Sequence, residues 1–212
     1  MKKALFLSVA ILFLWSGNAS AKSAVTPAAR RLFDVIDALN VAQNWPAGKH
    51  VNWETGIPDG GREFGHAKHT HCSVFVAAAA KRLGIYILRP PDHGQILLAN
   101  AQYDWLASQG LKQGWRPLAD GMEAQDFADR GYFVVAVYKN HHETSPGHIA
   151  IVRPGDESPA EIKAEGPQVT QAGLHNYRST SLEQGFAGHP HAFNDDEIKF
   201  YAHEVYRFRG RS

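Results

Sequence analysis

The sequence predicts an α+β fold, with N-terminal helices packed on one face of a small antiparallel β-meander. Three observations lead there. Between residues 31 and 129 apolar side chains recur at helical spacing in several segments. From Tyr132 onward the pattern changes to short apolar runs separated by turns. The 212 residues are 44% hydrophobic, 11% aromatic and 20% charged, which excludes disordered, collagen-like and low-complexity architectures. Helices first and strands afterwards give α+β rather than an alternating parallel sheet. The length suits one domain, and no repeat or linker divides it.

The N-terminus comes first in the chain. Lys2 and Lys3 form a basic start, and Ala4 to Trp15 is an apolar run too short to span a bilayer comfortably. Small residues follow, with Ala19 and Ala21 in A-x-A register, so residues 1–21 read as a signal peptide cleaved after Ala21. Lys22 follows the cut rather than Cys, which argues against a lipid anchor. The expected mature domain is 22–212, periplasmic or secreted, with no stable membrane anchor.

Residues 22–31 read as a polar lead-in. Leu32, Val35, Ile36, Leu39 and Ala42 then predict an amphipathic helix over 31–43. Residues 44–70 are rich in Gly, Pro and Trp without a period, which predicts a long loop of the kind that often carries function. The alanine run of 71–84 predicts a helix ended by Gly84. Residues 92–109 predict another, with Ile96, Leu97, Ala101, Trp105 and Leu106 on its buried side. A short helix is expected over 122–129, closed by Arg130-Gly131, and Asp92, Asp104 and Asp120 fit caps or solvated faces.

Residues 132–138 form a wholly apolar run and predict a central strand. A turn at 140–147 leads to a second strand at 148–152 and a shorter third at 167–172. Residues 174–188 read as an irregular polar loop, and 198–208 as one or two final strands.

Charge excludes some functions. Lys and Arg total 22 against 21 acidic residues, a formal net charge of +1. Removing two lysines with the signal peptide leaves 20 basic against 21 acidic, formally −1. Nothing here draws nucleic acid. The unusual counts are one Cys and 12 His. A single cysteine forms no internal disulfide, and in an exported protein a lone thiol is either buried and inert or kept for its reactivity.

Cys72 falls at a predicted helix start, where the first N–H groups and the macrodipole favour a thiolate. A thiolate nucleophile needs a base, and His148 opens the second strand just after Gly147, which leaves room for a substrate or a second backbone. A third polar group should orient the imidazole. Gln171, on the next strand, is the candidate, with Gln168 and Asn176 as alternatives.

These residues resemble a known group. His71-Cys72-Ser73-Val74-Phe75-Val76 is similar to the nucleophile motif of papain-like cysteine hydrolases of the CHAP and NlpC type. Gly147-His148-Ile149-Ala150-Ile151-Val152 resembles their histidine motif, and the chain order of the elements is similar over about residues 65–205. The pairs those families carry before the Cys are replaced here by His69-Thr70-His71. The resemblance implies a papain-like fold and cleavage of an amide, usually in peptidoglycan, by an endopeptidase or amidase. Carried over, Cys72 is the nucleophile, His148 the base and Gln171 the orienting residue, with no cofactor and with peptidoglycan or a peptide as partner.

Other signals stand beside this. Trp45 and Trp53, in the loop before the Cys helix, and His71 are candidates to line a substrate groove. His66, His69 and His71 beside Cys72 could seed a zinc site, although no established ligand spacing is present and no metal is expected. A non-enzymatic periplasmic binding or metal-binding protein, and an acyl transferase on the same scaffold, are the alternative functions.

Overall fold

The computed structural model describes residues 24–61 and 69–206. The proposed signal peptide, His66 and the far end of the last predicted strand lie outside the described residues.

Thr26 caps the first helix, α1 (Pro27–Asp37), its hydroxyl accepting from Ala29 N–H at 3.2 Å, with Pro27 in the first turn. The helix thus starts inside the expected lead-in and stops six residues short of the expected end. Asn40 takes a left-handed φ of 54°, so Leu39 and Val41 are buried from turns rather than from a helix. Helix α2 (Cys72–Arg82) matches expectation, with Gly84 at φ 76° just beyond its end. Helix α3 (Leu98–Trp105) begins six residues later than expected. Leu97 sits at φ 54°, and Ile96 is 67% exposed rather than buried. A π-helical turn, Leu106–Gly110, continues α3.

Strand β1 (Arg116–Leu118) is followed by α4 (Gly121–Asp129), capped by Asp120, whose carboxylate accepts from Glu123 N–H at 2.9 Å. Next come β2 (Phe133–Tyr138), β3 (His148–Val152), α5 (Pro159–Glu165), β4 (Gln168–Ala172), β5 (Asn176–Ser181), α6 (Leu182–Gly185), α7 (Pro190–Asn194) and β6 (Lys199–His203).

All six strands pair antiparallel in the order β1-β6-β2-β3-β4-β5, and the fold is α+β. Strands β2 and β3 are buried at every position, which is why they read as unbroken apolar runs. The sheet is covered on both faces, not one. Helices α1, α2 and α3 pack against Phe133, Val135, Val137, Ile149 and Ile151. The opposite core sets α4, α6 and α7 against Val134, Ala136, Ala150, Val152 and Phe200. Burying both faces removes far more apolar area from water than one face could. Among the described residues no helix is long and apolar enough to cross a membrane.

Candidate active site

Helix α2 is buried along most of its length, and the small side chains Ala77 to Ala80 bring its backbone close to the sheet. Its first residue is Cys72, 4% exposed. The sulfur sits where β3 and β4 part. Their pairing ends at Ile151–Thr170, and opposite Thr170 strand β5 carries one extra residue, with Arg178 and Ser179 facing it. Beyond that point the Ile149 N–H turns to the Cys72 sulfur, joined by the Ser73 N–H and the Thr70 hydroxyl. Burial is nevertheless the larger effect and pushes the thiol pKa up. The helix start alone predicts a lowered value; enclosure of the sulfur overrides it.

His148 comes to the same place from β3. Its position depends on Gly147, where a side chain would collide with the Tyr138 carbonyl and come within 2.5 Å of Asn100 Oδ1. The space that glycine leaves is therefore taken by a second backbone. The His148 ring is 6% exposed, edge-on to Phe186 at 4.7 Å between centroids and near-parallel to His189 at 6.1 Å. Burial lowers its pKa from 6.5 to about 4, against a partial lift from its bond with Gln171. The resting pair is a neutral thiol and a neutral imidazole.

Gln171 settles which ring nitrogen carries the proton. Its Nε2 donates to the His175 carbonyl at 3.2 Å, which turns Oε1 toward His148 Nε2. An amide oxygen only accepts, so Nε2 is the protonated nitrogen and Nδ1 keeps its lone pair. The other two candidates for this place lie elsewhere. Gln168 Oε1 accepts from Ser179 Oγ at 3.0 Å. Asn176 Nδ2 donates to the carbonyls of Val41, Asn44 and Trp45 at 2.8, 2.7 and 3.2 Å, pinning the chain after α1.

A cleft of about 460 Å³ opens over this group. Thr70 borders it on the Cys72 side, and His148 and Gln171 form its floor. The β4–β5 turn, with Leu174 and His175, makes one wall, and Gln184 to His189 the other. Both walls fall largely in residues 174–188, read from sequence as an irregular loop, which instead hold β5, α6 and the start of the link to α7. His189 was not singled out by sequence as a site residue, yet it lines the cleft and faces His148. Burial and the neighbouring His148 lower its pKa to about 4.

The three residues expected to line a groove are placed differently. Trp45 is fully buried, edge-on to Phe75 at 5.2 Å, its indole N–H donating to the Trp53 carbonyl at 3.2 Å. Its ring has no face left for a ligand. His71 is 3% exposed, and its Nε2 donates to the Lys49 carbonyl at 2.9 Å, tying the preceding loop to α2. Trp53 is half-buried, with the Lys81 ammonium 5.3 Å from its ring centre. None of the three borders the cleft. Among the described residues no group of three or more His, Cys, Asp or Glu side chains is placed to hold a metal ion.

No family model matches the chain. Among curated proteins it is similar to the Peptidoglycan amidase Tse1 of Pseudomonas aeruginosa, with 38% identity over 85 residues. That match covers 40% of this chain and 46% of the relative, so the chain spans less than half the length of the curated protein it matches.

Proposed function

We propose that the chain is a cysteine-dependent amidase or endopeptidase that cleaves an amide bond of peptidoglycan through a thioester on Cys72. The observation that carries this reading is the convergence of three elements behind one cleft, which His148 and Gln171 line and Thr70 borders, with Cys72 buried just beneath Thr70 and Ile149. The start of α2 brings the sole thiol to the gap between β3 and β4. His148 sits at that gap on β3, and Gln171 on β4 fixes its tautomer. The 38% identity to a protein named as a peptidoglycan amidase supports the substrate class. The Cys and His motifs, on a helix followed by an antiparallel sheet, support assignment to the papain-like hydrolases of the CHAP and NlpC type. The apolar N-terminus supports export as a single domain, cleaved after Ala21, into the periplasm or beyond.

The chemistry follows from the tautomer. With Nε2–H engaged by Gln171, Nδ1 takes the thiol proton as the sulfur attacks the substrate carbonyl. The Cys72 N–H at the start of α2 helps to bind the oxyanion. The tetrahedral adduct collapses, the C–N bond breaks, and the amine leaves with the proton held on Nδ1. That step leaves an acyl thioester on Cys72. Water then gives a proton to Nδ1 and attacks the thioester, releasing the carboxylic acid and restoring the thiol. A neutral amide at 171 orients the ring without fixing a charge beside it, in keeping with a resting imidazole that is neutral. No cofactor takes part.

The test is digestion of purified peptidoglycan by the mature protein beside Cys72→Ala, with mass spectrometry of the soluble fragments. Release of peptide-bearing fragments with new amino termini by the wild type alone supports the reading. Equal fragments from both proteins remove Cys72 from the mechanism. No fragments from either, on intact or disaccharide-peptide substrates, leave a binding protein on this scaffold.

A further inference from the structure

Helix α3 grips the hairpin that presents His148. Asn100 is 7% exposed and uses both ends of its amide on that hairpin. Its Nδ2 donates to the Ser145 carbonyl at 2.9 Å, and its Oδ1 accepts from the Asn140 N–H at 3.1 Å. One turn further along α3, the Asp104 carboxylate accepts from Lys139 Nζ at 2.9 and 2.7 Å. The hairpin turn is closed from within by Asn140, whose Nδ2 donates to the Pro146 carbonyl at 3.3 Å and whose Oδ1 accepts from His142 N–H at 2.9 Å. The chain then passes Asn100 at Gly147, which has no room for a side chain, and delivers His148 opposite Tyr138.

The same helix also holds the nucleophile's element. Gln102, fully buried, donates from Nε2 to the Ser73 carbonyl at 3.1 Å and the Leu88 carbonyl at 2.9 Å. Helix α3 therefore touches the first turn of α2 with one amide and the His148 hairpin with another, two residues apart. Neither amide is needed for the helix itself, whose bonds are made by backbone. Gln102 commits only its Nε2, its Oε1 being buried without a partner; Asn100 commits both ends across a long stretch of chain and so fixes relative placement, because each lost bond leaves a buried polar group unpaired.

We propose that Asn100 is a positioning residue for His148: by clamping the 139–147 turn onto α3 it sets the imidazole relative to the Cys72 sulfur. This rests on reading Cys72 and His148 as the reacting pair. The reaction does not reach Asn100, which acts only through the hairpin.

The experiment measures the rate of Cys72 alkylation by iodoacetamide against pH, with peptidoglycan turnover alongside. It compares wild type, His148→Ala, Asn100→Ala, Asn100→Asp and Ile162→Ala. Ile162, 6% exposed on α5 and outside the cleft lining, serves as a control for lost stability. Asn100→Asp keeps the acceptor for Asn140 and removes the donor to Ser145, so it carries the comparison if the alanine variant does not fold. The expected result is that His148→Ala alters the pH profile and the Asn100 variants move toward it. Their kcat should fall about 10- to 100-fold, as a displacement of the order of 1 Å would produce, with KM little changed. Ile162→Ala should keep the wild-type profile despite a lower Tm. Wild-type profiles in both Asn100 variants, with His148→Ala altered, overturn the inference alone. So does an Ile162→Ala profile that shifts as far as theirs. A His148→Ala profile identical to wild type overturns the pairing on which the inference rests.

Discussion

Acid should destabilise this protein through His148, and the window and size follow from its burial. An unfolded chain titrates histidine at about 6.5. Folded, His148 is held at about 4 by loss of water around the ring. Between those values the unfolded state binds a proton that the folded state refuses, so stability falls as pH drops from about 6.5 to about 4 and levels off below. At about 1.4 kcal/mol per pH unit, the loss between pH 7.5 and pH 4.5 is about 2 to 3 kcal/mol. That is a sizeable part of a typical stability of about 5–15 kcal/mol.

The perturbation is His148→Gln, which keeps a polar side chain and removes the titration. The assay is urea unfolding followed by tryptophan fluorescence at both pH values, at one ionic strength. The wild type should lose about 2 to 3 kcal/mol more than the variant on acidification. A residual decline is expected from His189, whose pKa is lowered in the same direction but which is only half-buried. Asp37, held below its usual 3.8 by Arg153 and Arg178 despite its partial burial, loses its contribution only in stronger acid and stays outside the window. Parallel declines in wild type and variant would refute the claim that His148 is buried as a neutral ring.

Three further outcomes are expected. Gln171→Leu leaves the His148 Nε2–H buried without an acceptor and frees the tautomer; kcat should fall by about 10²-fold or more, with about 1–3 kcal/mol lost in urea unfolding, and unchanged turnover would remove Gln171 from the site. His189→Lys sets a fixed cation about one ring-width from His148, so protonation of His148 during attack is opposed; kcat should drop at least about tenfold while His189→Phe retains most activity, and equal activities would show that the neighbour's charge is irrelevant. Asp37→Ala breaks the tie made by Arg153 Nη1 at 2.7 Å and Arg178 Nη2 at 2.8 Å. Because the carboxylate is partly exposed, about 1–2 kcal/mol should be lost, with kcat unchanged; calorimetry and turnover together check both halves.

The residues proposed to react are legible because each is fixed by local chemistry. Cys72 is the only thiol and stands at a helix start signalled by its alanine run; His148 follows a glycine that a tight backbone approach requires. Gln171 could not be separated from Gln168 or Asn176 by sequence, since all three are polar and close to β4. Only the fold brings the His175 carbonyl to its Nε2 and so turns its Oε1 to the ring. Strands β2 and β3 read clearly because burial on both faces leaves them wholly apolar. Strand β5, at the sheet edge and mostly half-buried, carries Asn-Tyr-Arg-Ser-Thr-Ser and offers no alternation to read. With β5 unread, α6 and the link to α7 that follow it, and His189 with them, are not legible as the cleft's second wall. Helix α5 is announced only by the spacing of Ser158 and Glu161, which form a capping box. For Trp45, composition marks an aromatic loop, but the sequence does not show that Asn176 grips the neighbouring carbonyls and that the ring lies buried in the core.

The central claim is an acyl thioester on Cys72, and hydroxylamine tests it most directly. A disaccharide-peptide substrate is turned over in increasing hydroxylamine, and the products are separated by mass. A thioester partitions between water and the added nucleophile, so the wild type should yield the acyl hydroxamate in rising proportion to the carboxylic acid, and Cys72→Ala should yield neither. Carboxylic acid alone at every hydroxylamine concentration, or hydrolysis that survives in Cys72→Ala, would contradict the account.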